Sequence, residues 1–410
     1  MRYGCDAPIG PGRNRNMTEP FSLRLVEPSF KDPLTDLILE LDRERTSVLG
    51  GTTPPVMFSQ LKQIFHMLET LGSARIEGNS TTIAELVDRR QEVELQLDDS
   101  SEDEKLLEIS NIGNALLFVE GAWSRDPENF RIDHGFVHEL HRLTTTGLSL
   151  SGEGDSCPGS YRTRPVRIMK STYVLPDGTD VHSFMDSLLG FFNKPDPPKY
   201  DLLKLALAHH SFTWIHPFSN GNGRTARLFT YAMLLKSGFR VGGPRPTTRI
   251  LNPTAVFCSD RDKYYEMLSR ADTGTDVDLL AWCSYMLSGL KIELDKVAKL
   301  LDYYWLKKNI LVPAIVELHQ KNGISNHERT ILLIALDKNV IRNQDIRPAL
   351  NSMSMVQTSR ILGELRKRQL LVPASGAERS YQLGLAQSPL LRTVLRQLDR
   401  QGFLPIKGEI

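Results

Sequence analysis

Cysteine is scarce in this chain, and the cysteines that are present lie far apart. There are 4 in 410 residues, at positions 5, 157, 258 and 283, with no Cys-x-x-Cys pair. A disulfide framework needs a higher density of cysteine, and a zinc site built from cysteines needs closely spaced pairs. The sequence therefore excludes both and favours a reducing compartment.

Long apolar runs are also missing, and the formal net charge is only +1. No stretch approaches the roughly 20 apolar residues of a membrane span, and the first residues carry glycine, proline and arginine where a signal peptide would be apolar. The 50 lysines and arginines balance the 49 aspartates and glutamates, so no overall field attracts nucleic acid or an anionic membrane. We expect a soluble, cytoplasmic protein without a membrane partner, in which nucleic acid would bind only a local patch.

Strand-like alternation of valine, isoleucine and threonine is scarce too, whereas helical periodicity runs through most of the chain. The length exceeds the roughly 100–200 residues of one ordinary domain, so we expect at least two folding units. The sequence predicts a tail with one helix over 1–57, an all-α main domain over 58–300 with one short hairpin, and a further domain over 310–410. The first helix of the main domain is expected at about 59–78.

The most unusual stretch is 216–227, His-Pro-Phe-Ser-Asn-Gly-Asn-Gly-Arg-Thr-Ala-Arg, which lies between two apolar helical segments. Pro217 ends the first helix. The turn of Gly221, Asn222 and Gly223 can leave backbone N–H groups pointing into one concavity at the start of the next helix. Such a helix start is an anion-binding arrangement.

Two arginines and one histidine flank this turn. Arg224 and Arg227 are three residues apart, so they share a helical face and can bind neighbouring phosphates. His216 is the natural proton acceptor near neutral pH. Together they indicate phosphoryl or nucleotidyl transfer to a hydroxyl, in which positioning and charge neutralisation supply most of the catalysis. The alternative interpretation is a helix-capping turn with a core histidine and solvated arginines.

The full string resembles the signature of the Fic (filamentation induced by cAMP) family, His-Pro-Phe-x-Asp/Glu-Gly-Asn-Gly-Arg-x-x-Arg. Residues 159–162, Gly-Ser-Tyr-Arg, match that family's Gly-x-Tyr-Arg, and 173–176 lie where its flap hairpin returns. His209, Phe212 and Ile215 look like the helix that enters its active loop. The resemblance covers roughly 59–290 and implies an all-α Fic core with a short β-hairpin flap.

The resemblance also implies roles for these residues. His216 would deprotonate a serine, threonine or tyrosine hydroxyl of a target protein, possibly the protein itself, which attacks the α-phosphate of ATP and leaves an AMP ester and pyrophosphate. Phe218 would anchor the loop. Phosphate oxygens would be held by the turn and by the arginines, and the target would pair with the flap as an added strand. The residues implied are, for the nucleotide, Gly221, Asn222, Gly223, Arg224 and Arg227 and, for the flap, Met169, Lys170, Ser171, Thr172 and Tyr173.

One position departs from the family pattern. Asn220 stands where the family has Asp or Glu to hold Mg²⁺, a hard cation that prefers carboxylate oxygens. The sequence therefore predicts a Mg²⁺ cofactor with a weak ligand at Asn220. An amide oxygen assisting a phosphate-held metal, another nucleotide, and low activity all stay open.

Upstream, Ser73 and Glu77 are four residues apart on one helical face just before Gly78. Alone this is an ordinary helix end. Beside the signature it resembles the family's inhibitory motif, Ser/Thr-x-x-x-Glu-Gly/Asn. That likeness implies that Glu77 pairs with Arg227 and denies it to the γ-phosphate, because a carboxylate competes directly with phosphate for an arginine.

The region 310–410 reads as three short helices followed by two short strands, an order that resembles a winged helix-turn-helix domain. Its third helix carries four cations: Arg360, Arg366, Lys367 and Arg368. Both DNA binding and protein docking fit such a domain.

Three functions remain in competition. The first is a self-inhibited protein adenylyltransferase; the second is a hydrolase that removes AMP, with Glu77 as its base; the third is a DNA-binding regulator whose core senses nucleotide. A homodimer is left open. The neighbouring His209 and His210 could suggest a metal cluster, but we expect no acidic or cysteine partner nearby and therefore a packing role.

Overall fold

The computed structural model describes residues 23–46, 51–92, 101–166, 175–239, 255–350, 353–374 and 379–404. Within these ranges the protein is mostly helical, as predicted. The only strands there form one antiparallel hairpin near the carboxyl end. No helix in the described part of the chain combines the length and the apolar character that crossing a bilayer requires.

The helices of the first three quarters of the chain are α1 Pro33–Thr46, α2 Pro55–Glu77, α3 Ile83–Glu92, α4 Ser101–Arg125, α5 His134–Thr145, α6 Val181–Asn193, α7 Asp201–Ile215, α8 Asn222–Lys236, α9 Ala255–Cys258, α10 Arg261–Ala271 and α11 Asp276–Leu301. The later elements are α12 Tyr303–Leu306, α13 Val312–Gln320, α14 Asn326–Lys338, α15 Asn343–Ile346, α16 Met355–Lys367, β1 Leu371–Pro373, β2 Tyr381–Leu383 and α17 Leu390–Arg400.

One core surrounds α7, in which every residue from 202 to 212 is buried, polar side chains included. It packs against α6, α8 and α11, and α8 also packs against α4 and α5. Large rings fill the space between them, including Phe212, Phe218, Phe229 and Trp282, all completely buried. The loop between α7 and α8, which carries the signature, is thus fixed at both ends by the most buried helices of the molecule.

A second core joins α2 to the carboxyl-terminal elements. Buried residues of α2, such as Leu61, Phe65 and Leu68, share one apolar cluster with α13, α14, α17 and the hairpin. The rings of Phe65 and Phe403 meet edge to face with centroids 6.4 Å apart. The predicted boundary at 57/58 falls inside α2, and buried residues of α2 lie in one apolar cluster with those of the carboxyl-terminal elements. The division into domains stays a prediction.

The carboxyl-terminal elements follow the predicted order of helices and hairpin. Leu371 pairs with Leu383 and Pro373 with Tyr381, and Ile341 adds a single bridge to Tyr381. The assignment of this region as a winged helix stays a prediction. The predicted flap hairpin, residues 169–173, lies outside the described residues.

Candidate functional site

The site is built where α7 ends and α8 begins. His216 ends α7 in the left-handed region, at φ 51°, and its N–H donates to the Phe212 carbonyl at 3.0 Å. The buried Arg162 donates from Nε to the His216 carbonyl at 2.8 Å and from Nη2 to the Ile215 carbonyl at 3.2 Å. Its guanidinium therefore satisfies the last carbonyls of α7, where a positive charge is favourable.

The side chain of Asn222 closes the loop. Its Oδ1 accepts from the Phe218 N–H at 2.9 Å, and its Nδ2 donates to the Phe218 carbonyl at 2.8 Å. This pair of hydrogen bonds makes a compact ring from 218 to 222. The structure therefore places the Asn222 side chain in the scaffold of the loop, and only its backbone N–H is left for a ligand.

The first turn of α8 presents free amide groups. Gly221 N–H donates to Asn220 Oδ1, whereas the N–H groups of Asn222, Gly223 and Arg224 have no acceptor among the described residues. Unpaired N–H groups at a helix start carry the positive end of the helix dipole. The predicted anion-binding arrangement thus consists of residues 222–224.

Arg227 is held from the far side by the end of α2. Its Nε donates to Ser73 Oγ at 2.9 Å, and its Nη2 donates to the Ser73 carbonyl at 2.9 Å and to Glu77 Oε1 at 2.6 Å. Two segments of the chain that are far apart in sequence therefore meet in the way that the resemblance implies. That this contact inhibits a reaction stays a prediction.

Glu77 lies directly over the start of α8. A β-carbon added to Gly223 would lie 2.1 Å from Glu77 Oε1, so only glycine leaves room for this carboxylate. Burial alone would raise the pKa of Glu77, but the charges of Arg227 and Arg224 and the hydrogen bond from Arg227 outweigh it and lower the pKa. Glu77 is therefore a carboxylate that already occupies the anion site.

Arg224 is also occupied, by carboxylates that the sequence analysis missed. This fully buried arginine lies 3.1 Å from Glu108 Oε1 through Nη1 and 2.9 Å from Glu153 Oε2 through Nη2. Burial raises the pKa of both glutamates. Glu108 is buried and also accepts from Asn79 Nδ2 at 2.8 Å, whereas the side chain of Glu153 is 36% exposed on a loop between two glycines. No sequence motif marks either residue, because the contacts join distant segments.

Asn220 is committed to that glycine-rich loop. Its Nδ2 donates to the carbonyls of Gly152 at 3.1 Å and Gly154 at 3.2 Å, while its Oδ1 accepts from Gly221 N–H at 2.8 Å. The amide group thus uses both donors and its oxygen on the backbone. A carboxylate cannot donate, so an aspartate here would lose two of these bonds.

His141 is a second functional residue that sequence reasoning missed. Its ring stacks on Phe218 with centroids 3.7 Å apart, its Nδ1 accepts from Gly159 N–H at 2.8 Å, and its Nε2 donates to the Asn220 carbonyl at 3.1 Å. Burial lowers its pKa to about 4. The neutral ring therefore holds the signature loop against α5.

His216 itself is suited to accept a proton. Burial, followed by the nearby charge of Arg162, lowers its pKa to about 4. The imidazole is therefore neutral at physiological pH, which is the form that a general base needs. Its backbone is fixed by Arg162 and Phe212, so the ring starts from a defined position.

The adjacent histidines belong to the core. His209 hydrogen-bonds to Thr230 Oγ1 at 2.5 Å and to the Tyr264 hydroxyl at 2.9 Å. His210 does have an acidic partner, since its Nε2 lies 2.9 Å from Asp272 Oδ1 after α10. The expectation of no acidic neighbour is therefore wrong, because the partner is distant in sequence. The expected packing role of His209 matches its complete burial.

Three of the four cations on α16 already have partners inside the protein. Arg368 pairs with Glu328 at 3.0 Å, Lys367 with Glu364 at 3.2 Å, and Arg366 lies 5.3 Å from the ring centroid of Tyr381. Only Arg360 among these four is exposed without such a contact in the described structure. The local positive patch is therefore weaker than its sequence implies, and DNA binding stays a prediction.

Comparison with known proteins gives the family of this site. The sequence model of the Fic/DOC family matches residues 131–234, a range that contains the whole signature, Arg162 and His141. The chain contains a Fic domain. Ser73 and Glu77 lie outside the matched residues, so the carboxylate that contacts Arg227 comes from a helix that precedes the matched range.

Two curated relatives are each named protein adenylyltransferase Fic. The chain is 27% identical over 260 residues to the protein adenylyltransferase Fic of Nematostella vectensis, with 60% of this chain and 53% of that protein covered. It is 24% identical over 235 residues to the protein adenylyltransferase Fic of Aedes aegypti, with 57% and 42% covered. The chain thus spans about half the length of these relatives.

A solved structure shares the fold of the Fic domain. A Fic-domain-containing signaling protein of Bacteroides thetaiotaomicron aligns with a TM-score of 0.50 at 19% identity, covering 65% of this chain and 97% of that one. The mostly helical architecture predicted for the core is confirmed by this likeness.

Proposed function

We propose that this protein is a protein adenylyltransferase that moves AMP from ATP to a hydroxyl of a target protein. The observation that carries the proposal is the group of free amides at 222–224, placed between a neutral His216 and the two arginines of α8. The names of the curated relatives support it. A phosphate chain fits such a helix start, because several donors converge on it.

Each group of the site would have a separate role in the transfer of AMP. The amides of 222–224 and the guanidinium of Arg224 would hold the phosphate chain with the α-phosphate facing His216. The target hydroxyl would give its proton to the His216 ring as its oxygen bonds to the α-phosphorus. The bond from that phosphorus to the pyrophosphate oxygen would break, and Arg227 and Arg224 would neutralise the departing charge. Atoms balance as one AMP ester, one pyrophosphate and one proton on His216.

The proposal includes self-inhibition. Glu77 holds Arg227 at 2.6 Å and lies over Gly223, so nucleotide would have to displace this carboxylate to use the full site. We further propose that the resting protein transfers slowly and that a change at the end of α2 activates it. The activating signal would act by moving Glu77 away from Arg227.

Magnesium would meet at position 220 a neutral amide whose oxygen already accepts one hydrogen bond, which is a weaker ligand than the carboxylate of the family pattern. The Nδ2 of Asn220 donates to the carbonyls of Gly152 and Gly154, and its Oδ1 accepts from the N–H of Gly221. No step above is therefore routed through a metal held by this residue.

The proposal is tested with ATP labelled at the α-phosphate, using Glu77→Gly to release the site and Glu77→Gly with His216→Ala as the matched inactive form. We expect label on protein from the first variant and a loss of about 10²–10⁴-fold in the second. Nucleotide binding should be retained by both, since His216 touches no phosphate in the proposed arrangement.

Two results would contradict the proposal. Equal labelling with and without His216 would remove the general base. Release of AMP from a pre-modified protein by the wild type, lost in Glu77→Gly, would instead support the hydrolytic function.

A further inference from the structure

A cluster of potential metal ligands lies outside the nucleotide site. It joins His134, the first residue of α5, to His182 and Asp186 on α6. One ligand atom from each residue lies within 4.8 Å of the others. His134 Nε2 is 2.8 Å from Asp186 Oδ1, and His182 Nδ1 is 3.1 Å from Asp186 Oδ2.

The arrangement follows from helix geometry. His182 and Asp186 are four residues apart, so both project from the same face of α6. His134 comes from the start of the neighbouring α5, and its ring stacks on that of His182 with centroids 4.8 Å apart. None of these side chains belongs to a core; their exposed fractions are 29% for His134, 68% for His182 and 59% for Asp186.

A further side chain orients the first ligand. The Tyr161 hydroxyl lies 2.9 Å from His134 Nδ1. With Nδ1–H donating to the tyrosine oxygen, the lone pair of Nε2 points at the cluster. Metal-binding histidines are oriented by this kind of hydrogen bond on their other nitrogen.

The spacing suits a tetrahedral ion. Bonds of about 2.0–2.2 Å from zinc to nitrogen or oxygen place neighbouring ligand atoms roughly 3.3 Å apart. The two observed separations of 2.8 and 3.1 Å are slightly shorter and use different oxygens of Asp186, so these side chains would have to rotate for their ligand atoms to converge on one ion. Their exposure leaves room for such a rotation. Two imidazoles with one carboxylate favour zinc-like ions over magnesium or calcium, which prefer oxygen.

We propose that His134, His182 and Asp186 bind one divalent transition-metal ion of the zinc class, with the fourth position open to water. The site would fasten the start of α5 to the start of α6. It would also fix Tyr161, whose ring lies 5.4 Å from that of Phe218 in the signature loop. The next residue, Arg162, holds the His216 carbonyl, so the ion would brace the loop from outside the nucleotide site.

The test uses the full chain, stripped with a chelator and titrated with Co²⁺ and then with Zn²⁺. His182→Ala and Asp186→Asn each remove a ligand, while His327→Ala removes an exposed histidine on α14 as the matched control. We expect one equivalent of Co²⁺ with tetrahedral absorption bands in the wild type and the control, displaced by Zn²⁺. The two ligand variants should bind at least tenfold more weakly.

Tyr161→Phe separates a metal site from a simple charge cluster. It keeps all three ligands and should weaken Zn²⁺ binding by about 10–100-fold through loss of the orienting hydroxyl. Circular dichroism checks that each variant is folded. Absence of Co²⁺ and Zn²⁺ binding by the wild type, or equal binding by wild type, His182→Ala and Asp186→Asn, would overturn the proposal. The experiment does not depend on the transferase activity.

Discussion

At the scale of single residues, Glu77 and a bound phosphate need the same place. The carboxylate lies over Gly223 and accepts from Arg227, so it uses both the helix start and the outer arginine. Carboxylate and phosphate are alternative partners for an arginine, and only one can occupy it. Glu77 thus occupies the position proposed for a phosphate of the nucleotide.

Replacing Glu77 with glycine should therefore raise auto-modification. Recovery of one charge-assisted hydrogen bond is worth about 1.5–3 kcal/mol, or roughly ten- to a hundredfold in rate. The rate of label incorporation from ATP measures it. Glu77→Gln should give a smaller gain, because it removes the charge but keeps the bulk over Gly223.

Arg227→Ala serves as the control for this effect. Added to Glu77→Gly, it should abolish the gain, since the liberated arginine is then absent. A gain that survives in the double variant would show that Glu77 acts by another route.

Asn220 leads to a structural prediction. Asn220→Asp removes two donors to the carbonyls of Gly152 and Gly154 and sets an anion against them. We expect a loss of about 1–3 kcal/mol in the free energy of unfolding, measured by urea titration. Asn114→Asp, the same change at an exposed position within α4, should have little effect. Equal stability of the wild type and Asn220→Asp would mean that the loop does not need the amide.

The pH dependence of transfer should reflect His216. Its pKa is lowered to about 4, and the neutral ring is the active form, so activity should persist to about pH 5 and fall as the pH drops through 4. Initial rates are measured in the Glu77→Gly protein, because protonation of Glu77 would otherwise release Arg227 in the same range. A midpoint near the ordinary histidine value of about 6.5 would contradict the lowered pKa of the ring.

At the scale of elements, α2 connects the two halves of the molecule. It has 23 residues, so it is about 34 Å long. Its end brings Ser73 and Glu77 to Arg227, and its beginning packs in the core shared with the carboxyl-terminal helices. A rigid helix of this kind would pass a displacement at one end to the other.

The first half of α2 is fastened to the hairpin by Gln60. Its Nε2 donates to the Leu383 carbonyl at 2.8 Å, and its Oε1 accepts from Leu385 N–H at 2.5 Å. Gln60→Ala should lower the free energy of unfolding by about 1–3 kcal/mol, since two backbone groups lose their partner. Gln63→Ala, at an exposed position of the same helix, controls for helix propensity. Identical urea midpoints for the two variants would show that this junction contributes no stability.

At the scale of the whole molecule, buried neutral histidines should set the acid sensitivity. Burial lowers the pKa of His141 and His216 to about 4 and that of His209 to about 3. As the pH falls below about 6.5, the unfolded chain takes up these protons and the folded chain does not, so stability declines. Each such group contributes a slope of up to about 1.4 kcal/mol per pH unit.

His209 offers a clean measurement of one such group. His209→Gln should reduce the slope of unfolding free energy against pH, between pH 6 and 4.5, by about one proton relative to the wild type. The slope is the readout, since the absolute stability also changes when a packed ring is removed. His327→Gln, at an exposed position, should leave the slope unchanged. An unaltered slope in His209→Gln would mean that this histidine is protonated in the folded protein.

The sequence by itself determined the local features of this protein. Helical periodicity predicted the all-α architecture, and the string from His216 to Arg227 predicted a helix start with free amides, because both depend on residues adjacent along the chain. The pairing of Ser73 and Glu77 with Arg227 came from a family likeness, and the structure places these residues in contact.

Tertiary structure alone decided which groups from distant segments meet. Glu108 and Glu153 on Arg224, His141 against Phe218, and the commitment of Asn220 to the 152–154 loop have no mark in the sequence. The union of α2 with the carboxyl-terminal helices in one core also escaped prediction. Apolar periodicity shows which face of a helix is buried, but it does not show which other face covers it.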